Sequence, residues 1–138
     1  MSRAAGDWGN VDSNIFISAL EFQGIGLRLI AMAQSGIIRI DTSDAILAET
    51  IGVLRDKFHW DGYRLHFARL ELLKITNRVQ PTQKIAIVDD PDDDRILECA
   101  VAAGSDYILS YDKDLLRLKE YGWIKIVTGS DFLLLLAR

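Results

Sequence analysis

Short aliphatic runs rich in β-branched residues alternate along this chain with longer apolar stripes spaced at i, i+3 and i+4, and this alternation most constrains what the chain can fold into. The runs at 37–40, 84–88, 107–109 and 124–127 have the length and composition of strands and are bounded by Gly or Asp. Helical spacing occupies 15–34, interrupted at Gly24 and Gly26, then 44–57, 64–76, 95–103, 114–121 and 131–138. Gly104 and Gly122 stand where helices would stop. Strands separated by helices pair in parallel, because the crossover returns the chain to the same end of the sheet. The expectation is therefore an α/β fold, a central mainly parallel sheet flanked by helices, in one domain over residues 1–138. Leu133 to Leu136 close the last helix; four successive leucines cannot all face one way, which predicts a second subunit over part of them.

A net charge of -4 argues against a protein that coats nucleic acid by bulk electrostatics, though a local basic strip can coexist with it. Cys99 is the only cysteine and lies among apolar helix residues, which excludes a disulfide framework and a thiolate zinc cluster. A reducing, cytoplasmic setting is expected. The first residues lack an apolar signal region, and no apolar run approaches the ~20 residues that span a bilayer, so no membrane partner is expected.

Negative charge is concentrated at one junction. Five of the six residues from Asp89 to Asp94 are aspartates, the exception being Pro91. Carboxylates crowded at a strand end repel one another unless a cation sits among them, so the junction is a candidate metal site. In an open α/β sheet ligands sit beyond the carboxyl ends of the strands. Two further acids have that placement: Asp12, before the helical stripe from Ile15, and Asp112, after Tyr107–Leu109. Glu49 differs, since it shares a stripe with Ile46 and Val53 inside a helix and has only Lys57 as a cation at helical spacing. An acid at the edge of a core-facing stripe is costly unless paired or coordinated.

Each acid also has a structural reading. Asp at a strand-to-helix turn is commonly an N-cap, and Asp90-Pro91-Asp92 fits a tight solvated turn. A calcium loop fails, because Arg95 occupies the required glycine position and Val101 that of the closing glutamate. What favours function is the coincidence of three capping-type acids with an intrahelical one.

These motifs resemble the PIN-domain ribonucleases, and more narrowly the VapC-like PIN toxins of type II toxin-antitoxin systems. Asp12-Ser-Asn-Ile-Phe-Ile-Ser-Ala-Leu20 is similar to the family's opening motif, and Ser43-Asp-Ala-Ile-Leu-Ala-Glu49 to the helix that presents its glutamate. The stretch from Asp90 to Leu116 resembles the third and fourth acidic motifs in order. Position by position, the resemblance implies Asp12, Glu49, Asp93 and Asp112 as catalytic and metal-holding acids, with Asp94 the alternate for the third and Asn14 and Ser110 in support. It departs where the family has an apolar first strand: here Gly6-Asp-Trp-Gly-Asn10 is mostly polar, which leaves that strand's extent open.

The resemblance further implies Mg²⁺ or Mn²⁺ as cofactor, in-line hydrolysis of an RNA phosphodiester, a cognate antitoxin and a homodimer. From Arg55 to Lys84 seven Lys or Arg stand against three acids, whereas from Ile85 to Asp114 nine acids stand against two basic residues. Arg55, Lys57, Arg64 and Arg69 are thus candidate contacts for an RNA backbone, the structural reading being solvated helix faces. Trp60 and Tyr63 are candidates for base stacking or, more simply, for packing. Two alternatives stay open: a PIN-like binding module without cleavage, and a haloacid-dehalogenase-like phosphatase. The latter requires a second Asp where Asn14 stands.

Overall fold

A computed structural model describes residues 9–11, as backbone, and residues 25–137. The elements run β1 (Gly9–Val11), α1 (Ile25–Gln34), β2 (Ile40–Thr42), α2 (Asp44–Asp56), α3 (Gly62–Ile75) and β3 (Thr76–Arg78). They continue with α4 (Pro91–Ala103), β4 (Tyr107–Leu109), α5 (Lys113–Leu118), β5 (Glu120–Tyr121), β6 (Ile124–Val127) and α6 (Gly129–Leu136). The strands form one sheet in the order β3-β2-β1-β4-β6-β5. All neighbours are parallel except β5, which pairs antiparallel with β6. This is the expected α/β fold.

Strand alternation distributes the core to both faces of the sheet. Ile40 and Leu109 join Leu29, Leu72 and Phe132 of α1, α3 and α6 in one buried cluster. Ile108, Ile124 and Ile126 join Ile96, Leu97 and Ala100 of α4 and Leu115 of α5 in another. Adjacent residues Ile108 and Leu109 thus point to opposite faces, as the period of two requires. A third cluster, Leu54, Trp60 and Ala68, closes the α2–α3 hairpin, so Trp60 is a packing residue.

Several boundaries differ from expectation for identifiable reasons. Lys84–Val88 is not a strand. Its backbone donors are taken by side chains instead: Ile85 N–H by Glu98, and the Ile87 and Val88 N–H groups by Asp94. The sheet edge is β3, a polar strand that the helical stripe to residue 76 had absorbed. The run 37–40 contributes only its last residue to β2, because Ile37 N–H closes α1 onto the Met32 carbonyl through Gly36 at φ 77°. Helix α4 starts at Pro91, four residues before its expected start, with Asp90 as N-cap and Pro91 in the first turn, where its missing N–H costs nothing. Gly104, at φ 68°, ends α4 as expected. Gly122 ends no helix: α5 stops at Leu118, Lys119 takes φ 63°, and Gly122 turns the β5–β6 hairpin. Among the described residues no helix is long and apolar enough to cross a membrane.

Candidate metal centre

From β1 the chain winds outward through β2 to β3, then returns to lay β4 on the other side of β1. Strand order therefore reverses between β1 and β4, and a crevice opens there at the carboxyl edge of the sheet. Helix α4 leads into β4 and must begin at that edge; α5 leaves β4 from the same edge. The starts of the two helices converge, each capped by an aspartate and each carrying the positive end of its dipole.

Asp93, Asp112 and Asp114 meet at this point, each offering a carboxylate oxygen within 4.8 Å of the others. Asp93 lies in the first turn of α4 and is 5 % exposed. Asp112 is the N-cap of α5, its Oδ1 accepting the N–H groups of Asp114 at 2.7 Å and Leu115 at 3.4 Å. Ser110, fully buried, accepts the Asp112 N–H at 2.9 Å and fixes the turn that carries it. Asp114, half-buried, also lies 3.3 Å from Arg117.

The neighbouring acids of α4 do something else. Asp94 Oδ1 accepts the N–H groups of Ile87 and Val88, both at 3.1 Å. Glu98 Oε2 accepts Ile85 N–H at 2.9 Å, and both its oxygens bind Arg95, at 2.8 and 2.7 Å. Burial is the largest single influence on Glu98 and pushes its carboxyl up, but the Arg95 and Ile85 hydrogen bonds together hold it below the ordinary range. Asp94 and Glu98 thus fasten the 85–88 segment onto α4.

Three carboxylates this close repel one another, and two helix N-termini offset that repulsion only in part. The donor set is all oxygen and anionic, which suits a hard divalent cation. No thiolate competes, since burial first and the charge of Asp41 second push the Cys99 thiol up to about 12. The donors therefore fit Mg²⁺ or Mn²⁺.

A family model for the PIN domain matches residues 11–114, most of the chain and all of this site. The chain belongs to the PIN domain family. PIN domains are typically metal-dependent nucleases that act on RNA, and the three-carboxylate group is where this one can hold a metal. No curated protein matches the sequence.

Of the other residues the PIN resemblance singles out, Asp12 and Asn14 lie outside the described residues. Glu49 is half-buried on α2 and is not one of the three acids within 4.8 Å. Arg55 is exposed and bonded to Asp56 at 2.8 Å, Lys57 lies 5.9 Å from the Phe58 ring, and the Arg64 guanidinium stacks 3.8 Å over Trp60. Arg69 is exposed on α3, as is Tyr63.

Sequence reasoning passed over two acids. Asp114 stands two residues after Asp112 in the first turn of α5, and the Asp-x-Asp spacing at a helix start was its available signal. Asp41, wholly buried on β2, accepts Arg39 at 2.7 Å, Asn77 at 3.0 Å and Ser105 at 2.6 Å. Its signal was a charge alternating with Ile40 and sharing a strand face with Arg39.

Proposed function

We propose that this PIN domain, spanning residues 1–138, is a Mg²⁺- or Mn²⁺-dependent endoribonuclease, the cytoplasmic toxin of a toxin-antitoxin pair. The observation that carries this reading is the meeting of Asp93, Asp112 and Asp114 at the switch point of a PIN sheet. Asp93 and Asp112 would hold the ion together with Asp12 and Glu49. Asp114 joins them from the same helical turn as Asp112, and Asp94, engaged with two backbone N–H groups, is the weaker candidate for the third acid. When bound, the ion neutralises charge growing on the phosphate and makes an attacking water more acidic.

The chain's own part is positional. Ser110 and the α5 backbone hold Asp112 so that its N-cap bonds use Oδ1 alone among its oxygens. The burial of Asp93 keeps water from competing for its carboxylate. RNA reaches the site along the basic segment between Arg55 and Lys84, where Lys57 and Arg69 are better placed for phosphate than Arg64, which is engaged with Trp60. Leu134 is 67 % exposed on α6, which supports a homodimer through that helix. An antitoxin would act by covering the acidic crevice. A phosphatase of the haloacid-dehalogenase type has no support from the family match.

The test is cleavage of a defined single-stranded RNA by purified protein in Mg²⁺. Internal cuts that vanish with chelator and in Asp112→Asn support the reading, because Asn keeps the cap and removes the charge. Equal cleavage by Asp112→Asn would refute it.

A further inference from the structure

A second recess opens on the same carboxyl edge, about 280 Å³ in volume, between the start of α2 and the loop that follows β3. Ser43 and Asp44 form one wall, Gln80, Thr82 and Gln83 the loop wall, and Arg95 with Glu98 the side toward α4. We infer that this recess holds one nucleotide of the RNA next to the cleavage site and reads its base; this rests on the ribonuclease reading above.

The loop wall is held in place although it has no regular structure. Val79 N–H donates to the Thr42 carbonyl at 2.8 Å at one end, and Glu98 and Asp94 secure Ile85, Ile87 and Val88 at the other. Between these anchors, among the described residues, the side chains of Gln80, Thr82 and Gln83 have no hydrogen-bond partner in the protein. Two amides and a hydroxyl, each both donor and acceptor, are therefore presented on a loop secured at both ends. Such groups recognise base edges, an amide being able to donate and accept on the same base.

Charge in the recess also fits a nucleotide. Glu98 is paired with Arg95, and Asp44 with Arg78 at 2.7 Å, so both acids of the lining are already matched. Of the two cations in the lining, Arg95 is bonded to Glu98, while Lys84 acts on Glu98 only through space and makes no ion pair within 4 Å among the described residues, which leaves it able to meet one phosphate. The recess also has the right position. Arg95 and Asp93 are two residues apart on α4, so the recess and the three-acid group lie on different sides of one helix end, roughly 10 Å apart on a helix diameter of that size. A strand with a nucleotide in the recess would present a nearby phosphate to the acids.

The experiment titrates the full chain with each of the four ribonucleoside 5′-monophosphates without metal, following backbone amide shifts, and separately maps cleavage of an RNA containing every dinucleotide. Binding of one base type, with shifts at Gln80 to Lys84, is expected. In Gln83→Ala and Gln80→Ala the preference for that base, in binding and in cut sites, should fall about tenfold, the discrimination one good side-chain pair supplies. Wild-type base preference in both variants would overturn the inference, as would shifts confined to other surfaces. If wild type cleaves no RNA yet a nucleotide still shifts the recess, the ribonuclease reading fails and the nucleotide site stands.

Discussion

Asp93 and Asp94 are consecutive residues of α4 with carboxylates committed to different partners: Asp94 receives the N–H groups of Ile87 and Val88, while Asp93 meets Asp112 and Asp114. A helix separates adjacent side chains by about 100°. One acid therefore faces the preceding segment and the other faces the crevice.

This division predicts opposite phenotypes. Asp94→Ala leaves two backbone donors without their acceptor and should cost about 1–3 kcal/mol of stability. Asp93→Asn removes one of three mutually repelling charges and should leave stability unchanged or slightly raised, while abolishing cleavage. Urea denaturation beside RNA cleavage checks both, and loss of activity in each with equal loss of stability would contradict the division.

Asp41 carries the largest predicted stability effect. Its buried carboxylate is shared by Arg39, Asn77 and Ser105, joining β2, β3 and the end of α4. Asp41→Ala takes the acceptor from Asn77 and Ser105, while Arg39, part-exposed, keeps the Ala103 carbonyl, and should destabilise by roughly 2–4 kcal/mol. The measurement is the urea midpoint of the variant against wild type.

Acid sensitivity should trace in part to Glu98. Burial, the largest single influence, pushes its folded carboxyl up, but the hydrogen bonds from Arg95 and Ile85 together hold it below the ordinary 4.5. A depressed carboxyl stabilises the fold above the unfolded value, and that contribution is lost as pH falls through the folded value. Stability should therefore fall on acidification below about pH 4.5. Glu98→Gln should be less stable at pH 7, and its stability should depend less on pH over that acidic range, which thermal melts from pH 7 to pH 3 would read.

Basic residues near the hairpin should divide by their present contacts. Lys57→Ala and Arg69→Ala should weaken RNA binding and lower the salt slope by about 0.7 each, one single-strand phosphate contact apiece. Arg64→Ala should chiefly cost stability, on the order of 0.5–1 kcal/mol, by removing the cation stacked on Trp60. Fluorescence anisotropy at several salt concentrations with the cleavage-dead Asp93→Asn background would separate the two classes.

What the sequence disclosed depended on where each residue's partner lay. Tyr107–Leu109 and Ile124–Val127 are readable as strands because their apolar residues pack on both faces of the sheet, and the parallel α/β arrangement follows from their alternation with helices. Lys84–Val88 has the same composition, yet its backbone donors are met by carboxylates of a later helix, which no local pattern reveals. Thr76–Arg78 was hidden for the opposite reason: as a polar edge strand it carries no apolar alternation. At the site, the resemblance to the PIN family pointed to Asp93, but the tie from Asp94 to Ile87 and Val88 is tertiary and appears only in the fold. Asp114 was overlooked because a helix-start acid beside an N-cap is ordinary until a second helix brings Asp93 to it.

Calorimetric titration of Mn²⁺ into wild type and Asp93→Asn tests the central claim most directly. Saturable binding by wild type, weakened at least tenfold in a variant whose urea midpoint is unchanged, is the predicted result. Equal binding by both proteins, or none by wild type, would contradict it and reduce Asp93, Asp112 and Asp114 to acids at two helix starts.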